Sequence, residues 1–218
     1  MDAVTPITQL AINRLGKLIG FPSVSSLSNR DVSDYLADCL DSLGFEVELT
    51  TYTDRLGIEK VNVVAKRSPK PTGKAGQSAV ASGLAHFGHT DVVPVPTWSG
   101  PSSEQIGGEQ IGADKMGGSQ RASDPFVPVI ENGRLYGRGS CDMKGSIAAM
   151  ITAAQSVSVD EQVHPLWIVC TADEEVGFDG ARHVVNDSAA YREIVAAQPL
   201  SIIGEPTELG VVHAHKGI

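Results

Sequence analysis

"PLWIVCTADEEVGFDG" (Pro165–Gly180) sets a continuous apolar run, Leu166 to Thr171, directly against Asp173, Glu174 and Glu175. An apolar run of this length without polar alternation is the pattern of a strand buried on both faces, as in an α/β sheet. Three adjacent carboxylates at its end repel one another, and burial raises the cost of each. Either they splay into water or something cationic collects them. In open α/β sheets ligands gather beyond the carboxyl ends of the strands.

The same arrangement recurs along the chain. "LAHF" (84–87) is followed by His89 and Asp91, and "LSII" (200–203) by Gly204, Glu205 and Pro206. Asp142 lies in "GRGSCDMKG", at the entry to a helix expected from about Met143, where the helix dipole favours an anion. Each residue alone has a mundane reading. The H-x-D pair suits a surface or a helix cap, Asp142 a cap, Glu174 and Glu175 a solvated turn, and Glu205 a turn before proline. Their conjunction at several strand and helix ends matches a metal centre built from nitrogen and oxygen donors. Two carboxylates about 4 Å apart repel by about 4 kcal/mol at an effective dielectric near 20, and one or two divalent cations reverse that sign. Oxygen donors with imidazole suit zinc, manganese or cobalt, and the lack of thiolate ligands argues for a catalytic site over a structural one. His89 and Asp91 are two apart and share a side of an extended chain, so Asp91 can fix the tautomer of His89. Adjacent Glu174 and Glu175 diverge, so that one can bind metal while the other acts as a base.

Around these residues the pattern is α/β. Ile7, Leu10, Ala11, Leu15, Leu18 and Ile19 fall at helical spacing, ended by Gly20 and Pro22. "SNRDVSDYLADCLDSLGF" predicts a second helix with Ser28 or Asn29 as N-cap and Gly44 past its end. "FEVELTTY" alternates like a strand near a sheet edge, and "KVNVVAK" is a second strand. Lys66 to Ser82 reads as a solvated loop, "NGRLYGRG" as a turn or hairpin, and "GARHVVND" as a short helix. "LSIIGEP" reads as another buried strand and "GVVHAHKG" as the start of a further one. Strands alternating with helices predict a layered α/β domain.

Composition excludes other classes. The chain has 218 residues, 41% apolar and 20% charged, with a net charge of −9. It has no basic run, which argues against a nucleic-acid partner. Cys39, Cys141 and Cys170 are scattered, which suits a reducing compartment and neither a disulfide framework nor a thiolate zinc knuckle. The N-terminus is not a signal peptide and no run approaches a membrane span, so the expected location is the cytoplasm, with no membrane partner.

"GHTDVVPV", "DPFVPVIENGRLYGRGSCDMKG", "TADEEVG" and "IIGEPTELGVVHAHKG" together resemble the di-zinc amidohydrolase and exopeptidase family. That family includes acetylornithine deacetylase, succinyl-diaminopimelate desuccinylase, aminoacylase and the glutamate carboxypeptidases. The motifs occur in family order over residues 5 to 218 and look most like the acetylornithine deacetylase branch. Desuccinylases tend to carry Arg-Gly where Lys216-Gly217 stands. The resemblance implies a three-layer α/β/α sandwich with a mostly parallel central sheet. It implies a Zn2+ cofactor, two ions per complete site, with Co2+ or Mn2+ as alternatives. His89 and Glu205 would hold one zinc, Asp142 would bridge, Glu175 would hold the second, Glu174 would be the general base and Asp91 would orient His89. The implied substrate is a small N-acyl amino acid, with N2-acetyl-L-ornithine the leading choice. A desuccinylase, dipeptidase or carboxypeptidase of the same family is the alternative.

The resemblance also defines departures. Residues 1–212 correspond to the N-terminal part of the catalytic domain and 213–218 to the stub of a strand leading into a lid domain. That lid makes the family's homodimer. The lid and a later histidine that completes the second zinc site lie beyond this sequence, so the expectation is little turnover by this chain alone. His213 and His215 fall on the outgoing strand; His86, His164 and His183 read as core or surface residues. Residues 99–122, rich in Gly, Ser and Gln, separate Trp98 from "SDPF" and are expected to be a mobile insertion. A cysteine hydrolase built on Cys141 lacks a local imidazole, and "GRGSCDMKGS" lacks a phosphate-loop pattern. A non-catalytic metal-binding chain is the remaining rival, opposed by Glu174.

Overall fold

A computed structural model describes residues 4–70, 83–96, 124–208 and 210. The expectations for residues 99–122 and for the strand from Gly210 onward lie outside or at the limit of that set.

The first helix, α1 (Pro6–Ile19), begins where Thr5 accepts a hydrogen bond from the Thr8 amide and Pro6 opens the first turn. The second, α2 (Arg30–Ser42), has Asn29 at its N-cap position as expected, without a capping bond from the Asn29 side chain. Ser28 Oγ accepts from the Arg30 amide at 3.2 Å. Asn29 stands at the cap position with its side chain turned inward. It accepts from the Val61 amide and donates to the Val61 carbonyl and Thr90 Oγ1. It therefore fastens the helix to the sheet.

Two antiparallel strands follow, β1 (Glu46–Thr53) and β2 (Glu59–Arg67). The second runs one residue past "KVNVVAK" into what reads as a loop: Arg67 is strand. Arg67 is buried and donates to the Ala154 carbonyl at 3.0 Å. Next come β3 (Leu84–His89) and a hairpin, β4 (Val129–Glu131) and β5 (Arg134–Tyr136). Asn132 and Gly133 turn that hairpin, both at positive φ. Then follow α3 (Lys144–Ser156), β6 (Leu166–Thr171), α4 (Asp179–Asp187), α5 (Ala189–Ala197) and β7 (Leu200–Ile203).

The main sheet has the order β1-β2-β6-β3-β7. The β6-β3 and β3-β7 pairs are parallel, whereas β1-β2 and β2-β6 are antiparallel. β2 alone runs against the other four strands, so the sheet is mostly parallel as expected, and its parallel pairs lie in the half that carries the acidic strand ends. Alternation along β2 and β6 divides the core. Val63, Ala65, Ile168 and Cys170 face α1, α2 and α3, and Val64, Trp167 and Val169 face Val184 of α4 and Ile194 of α5. The result is the three-layer α/β/α sandwich. One strand departs from its reading: β7 is exposed along its whole length, with Leu200 and Ile203 each 70% accessible. Among the described strands it pairs with β3 alone and stands at the end of the sheet order. No helix among the described residues is long and apolar enough to cross a membrane.

Candidate metal centre

The parallel half of the sheet brings the acidic residues together through its register. His89 is opposite Thr171, and the Thr90 amide donates to the Thr171 carbonyl at 2.8 Å. The segment after β3 therefore lies beside Asp173–Glu175. On the other side Phe87 is opposite Ile203, and the Gly204 amide donates to the Phe87 carbonyl, which carries Glu205 toward His89. Asp142 enters from the start of α3, packed against β3 through Met143 and Ile147 beneath Gly88. The Asp142–Met143 peptide bond is cis.

His89 is the centre of the cluster. Its side chain is 1% exposed, and its Nε2 lies 3.1 Å from Asp142 Oδ1 and 3.7 Å from both Glu174 Oε2 and Glu205 Oε1. Two overlapping triads result, His89–Glu174–Glu175 and His89–Asp142–Glu205, each with its donor atoms within 4.8 Å of one another. Ligands about 2.1 Å from a tetrahedral zinc stand roughly 3.4 Å apart, so the spacing around His89 Nε2 fits such an ion. The donors are one imidazole nitrogen and carboxylate oxygens, as expected for zinc or a harder divalent cation.

On the far side of the ring, His89 Nδ1 is 2.9 Å from the backbone carbonyl of Asp91 and 3.5 Å from its carboxylate Oδ1. The nearest partner that can fix the tautomer is thus the carbonyl of Asp91, not its side chain. The carboxylate is used elsewhere: it accepts from Ser25 Oγ at 2.8 Å and from the amides of Glu174 (3.1 Å) and Glu175 (3.3 Å). Asp91 therefore joins β3 to the turn that carries the two glutamates.

Burial and neighbouring charges perturb the titration of these groups. Partial burial raises Glu174, Glu175 and Glu205 above the usual carboxylate range, and Asp142 nearby raises each further. Burial would lower His89, but the hydrogen bond and charge of Asp91, with Glu205 and Glu174, raise it to about 9. Burial likewise opposes ionisation of Asp91, yet its contacts with His89, Ser25 and the Glu174 amide hold it below its ordinary value.

Residues 85–215, more than half of the chain, match peptidase family M20/M25/M40. The chain belongs to that family. It is 32% identical over 207 residues to acetylornithine deacetylase of Proteus mirabilis, across 92% of this chain and 43% of the relative, so it spans less than half of that protein's length. Its fold is similar to human carnosine dipeptidase 1 (TM-score 0.60, 20% identity, 88% of this chain and 37% of that one). It is also similar to the di-peptidase Dug1p of Saccharomyces cerevisiae (TM-score 0.52, 18% identity, 82% and 36%).

Within this M20/M25/M40 chain, one member of the acidic triplet does not face the cluster. Asp173 is buried and turned inward, 2.9 Å from Lys60 Nζ, and accepts from the Tyr52 hydroxyl at 2.7 Å. The three adjacent carboxylates are thus accommodated in two ways. Glu174 and Glu175 face the candidate metal site, and a buried lysine neutralises Asp173. Sequence reading missed Lys60, Tyr52 and Ser25. Only the lysine left a trace, as a lone cation preceding the apolar positions of "KVNVVAK". The remaining described histidines lie outside both triads. His86 is buried against Ser146, His164 is exposed, and His183 stacks on Tyr52 at 4.3 Å between ring centroids.

Proposed function

We propose that this chain is the metal-binding part of a hydrolase that cleaves the amide bond of an N-acyl amino acid, with N2-acetyl-L-ornithine as the leading substrate. The observation that carries the reading is the convergence of Asp142, Glu174 and Glu205 on His89 Nε2, with Glu175 beside them. The likeness to an acetylornithine deacetylase supports the substrate class. Such a reaction belongs to amino-acid biosynthesis, in the arginine branch, and to the cytoplasm.

His89, Asp142 and Glu205 would hold one zinc, with Asp142 and Glu175 contributing to a second. A zinc ion bound there polarises an acyl carbonyl and lowers the pKa of water. Asp91 holds His89 Nδ1, which leaves Nε2 free for the ion. Glu174 would take a proton from the attacking water and return it to the departing amine. Burial raises its pKa, the direction that favours return of the proton. Among the described residues the two triads share His89 as their one imidazole, and we expect a second ion to be held more weakly than the first and turnover by this chain alone to be low.

Calorimetric titration with Zn2+ and Co2+, paired with an assay for ornithine release, tests the reading. We expect at least one bound ion, slow release, and loss of that release by at least a hundredfold in Glu174→Gln with metal affinity kept. Binding without any release favours the non-catalytic alternative, and no binding refutes the centre.

A further inference from the structure

Behind the candidate metal centre lies a polar network whose members come from four parts of the chain. Lys60 of β2 is 1% exposed and donates to the carbonyls of Ser25 (2.5 Å) and Leu27 (2.9 Å). Its Nζ lies 2.9 Å from Asp173 Oδ1, while Tyr52 of β1 donates to Asp173 Oδ2. Asp173 itself adopts a left-handed backbone, φ 56° and ψ 31°, and its carbonyl accepts from the Phe178 amide to close the turn over residues 173–178. That conformation is uncommon for a residue with a Cβ and persists where surrounding contacts impose it.

The same network reaches the other side of the site. Ser25, whose carbonyl Lys60 binds, donates its hydroxyl to Asp91, and Asp91 accepts the amides of Glu174 and Glu175. One buried ammonium thus fastens both the loop that holds Asp91 and the residue from which Glu174 and Glu175 project. We infer that Asp173, gripped by Lys60 and Tyr52, is a positioning residue that sets the direction of Glu174 and Glu175. Its tasks for a metal ligand and a general base rest on the function proposed above. The positioning itself is a property of the metal-free chain and can be measured there.

Two variants of the full chain separate positioning from simple support. Tyr52→Phe removes one hydroxyl and leaves the ion pair. Lys60→Met combined with Asp173→Asn removes both charges together, so that neither stays buried alone. Hydrogen exchange is followed by NMR on the metal-free, 15N-labelled protein. The amides of Glu174 and Glu175 are expected to exchange at least tenfold faster in both variants. Those of Ile168 and Val169, in the strand just before, should keep their rates. The visible spectrum of added Co2+ should change, and its affinity should fall about tenfold. Wild-type exchange at Glu174 and Glu175 in Tyr52→Phe overturns the inference, as does equal acceleration at Ile168 and Val169. If the double variant does not fold, Tyr52→Phe decides alone. A wild-type chain that fails to take Co2+ counts against the proposed function, and the exchange rates still decide the role of Asp173.

Discussion

Two histidines three residues apart on one strand show how neighbours decide a side chain's chemistry. His86 and His89 are 2% and 1% exposed, and burial opposes the charged form of both. At His89 the facing carboxylates reverse that effect. His86 meets Ser146 Oγ at 2.9 Å and has no charged partner, and burial lowers it to about 4. A histidine lowered in the folded state binds fewer protons there than in the unfolded chain, where its value is near 6.5. Its contribution is therefore intact above pH 6.5 and is lost as pH falls toward 4, to a total of about 3 kcal/mol. His86→Gln should flatten the acid side of the stability profile by that amount. Urea midpoints for the two metal-free proteins between pH 7.5 and 4.5 measure it, and the difference cancels groups common to both. Parallel acid limbs would show that His86 does not carry this cost.

Among the elements, the approach of β7 to the start of α3 sets where Glu205 can stand. A Cβ on Gly204 would collide with Ser146 Oγ, and it would lie 2.7 Å from His86 Nε2 and 2.8 Å from Met143 Cε. Gly204→Ala must displace these three side-chain ends or push the end of β7 outward, and the second response takes Glu205 with it. We expect a stability loss of about 1–3 kcal/mol, as for other overpacked sites. Co2+ affinity should fall at least tenfold as well. Titration at a temperature where the variant is fully folded checks this, and unchanged affinity would mean that the Ser146, His86 and Met143 side chains absorb the methyl group while Glu205 stays in place. The three strands that carry the cluster were legible because each is an apolar run followed by an acid or a histidine, and such runs need no partner to be recognised; Asp142 was legible as an acid at a helix entry. Asp173 was not legible, because its turn inward depends on Tyr52, 121 residues away, and on Lys60. The exposure of β7 was equally hidden, since "LSII" reads the same at an edge as at a centre. The helix α5 left a usable signal, Ser188 ahead of "AAYREIVAA", where Ser188 Oγ accepts from the Tyr191 amide.

For the whole molecule, the acidic cluster is a cost on folding that a bound ion would remove. Glu174, Glu175 and Glu205 all stand above their ordinary values in the metal-free fold, so each opposes the folded state as pH rises through the carboxylate range. His89, raised to about 9, offsets part of this at neutral pH and loses that role as pH approaches 9. A divalent cation that binds only the folded chain stabilises it by mass action, about 2.7 kcal/mol at a hundred times its Kd. For a chain of 218 residues that corresponds to a rise in Tm of roughly 5–10 °C. Scanning calorimetry at pH 7.5 with Zn2+ should show this rise, and a chelator should reverse it. Asp142→Asn should reduce it by more than half, because Asp142 Oδ1 is the carboxylate oxygen nearest His89 Nε2 in the cluster. The same Tm with and without metal would mean that the carboxylates reach neutrality by holding protons, and that the sheet edge gathers them for some purpose other than an ion.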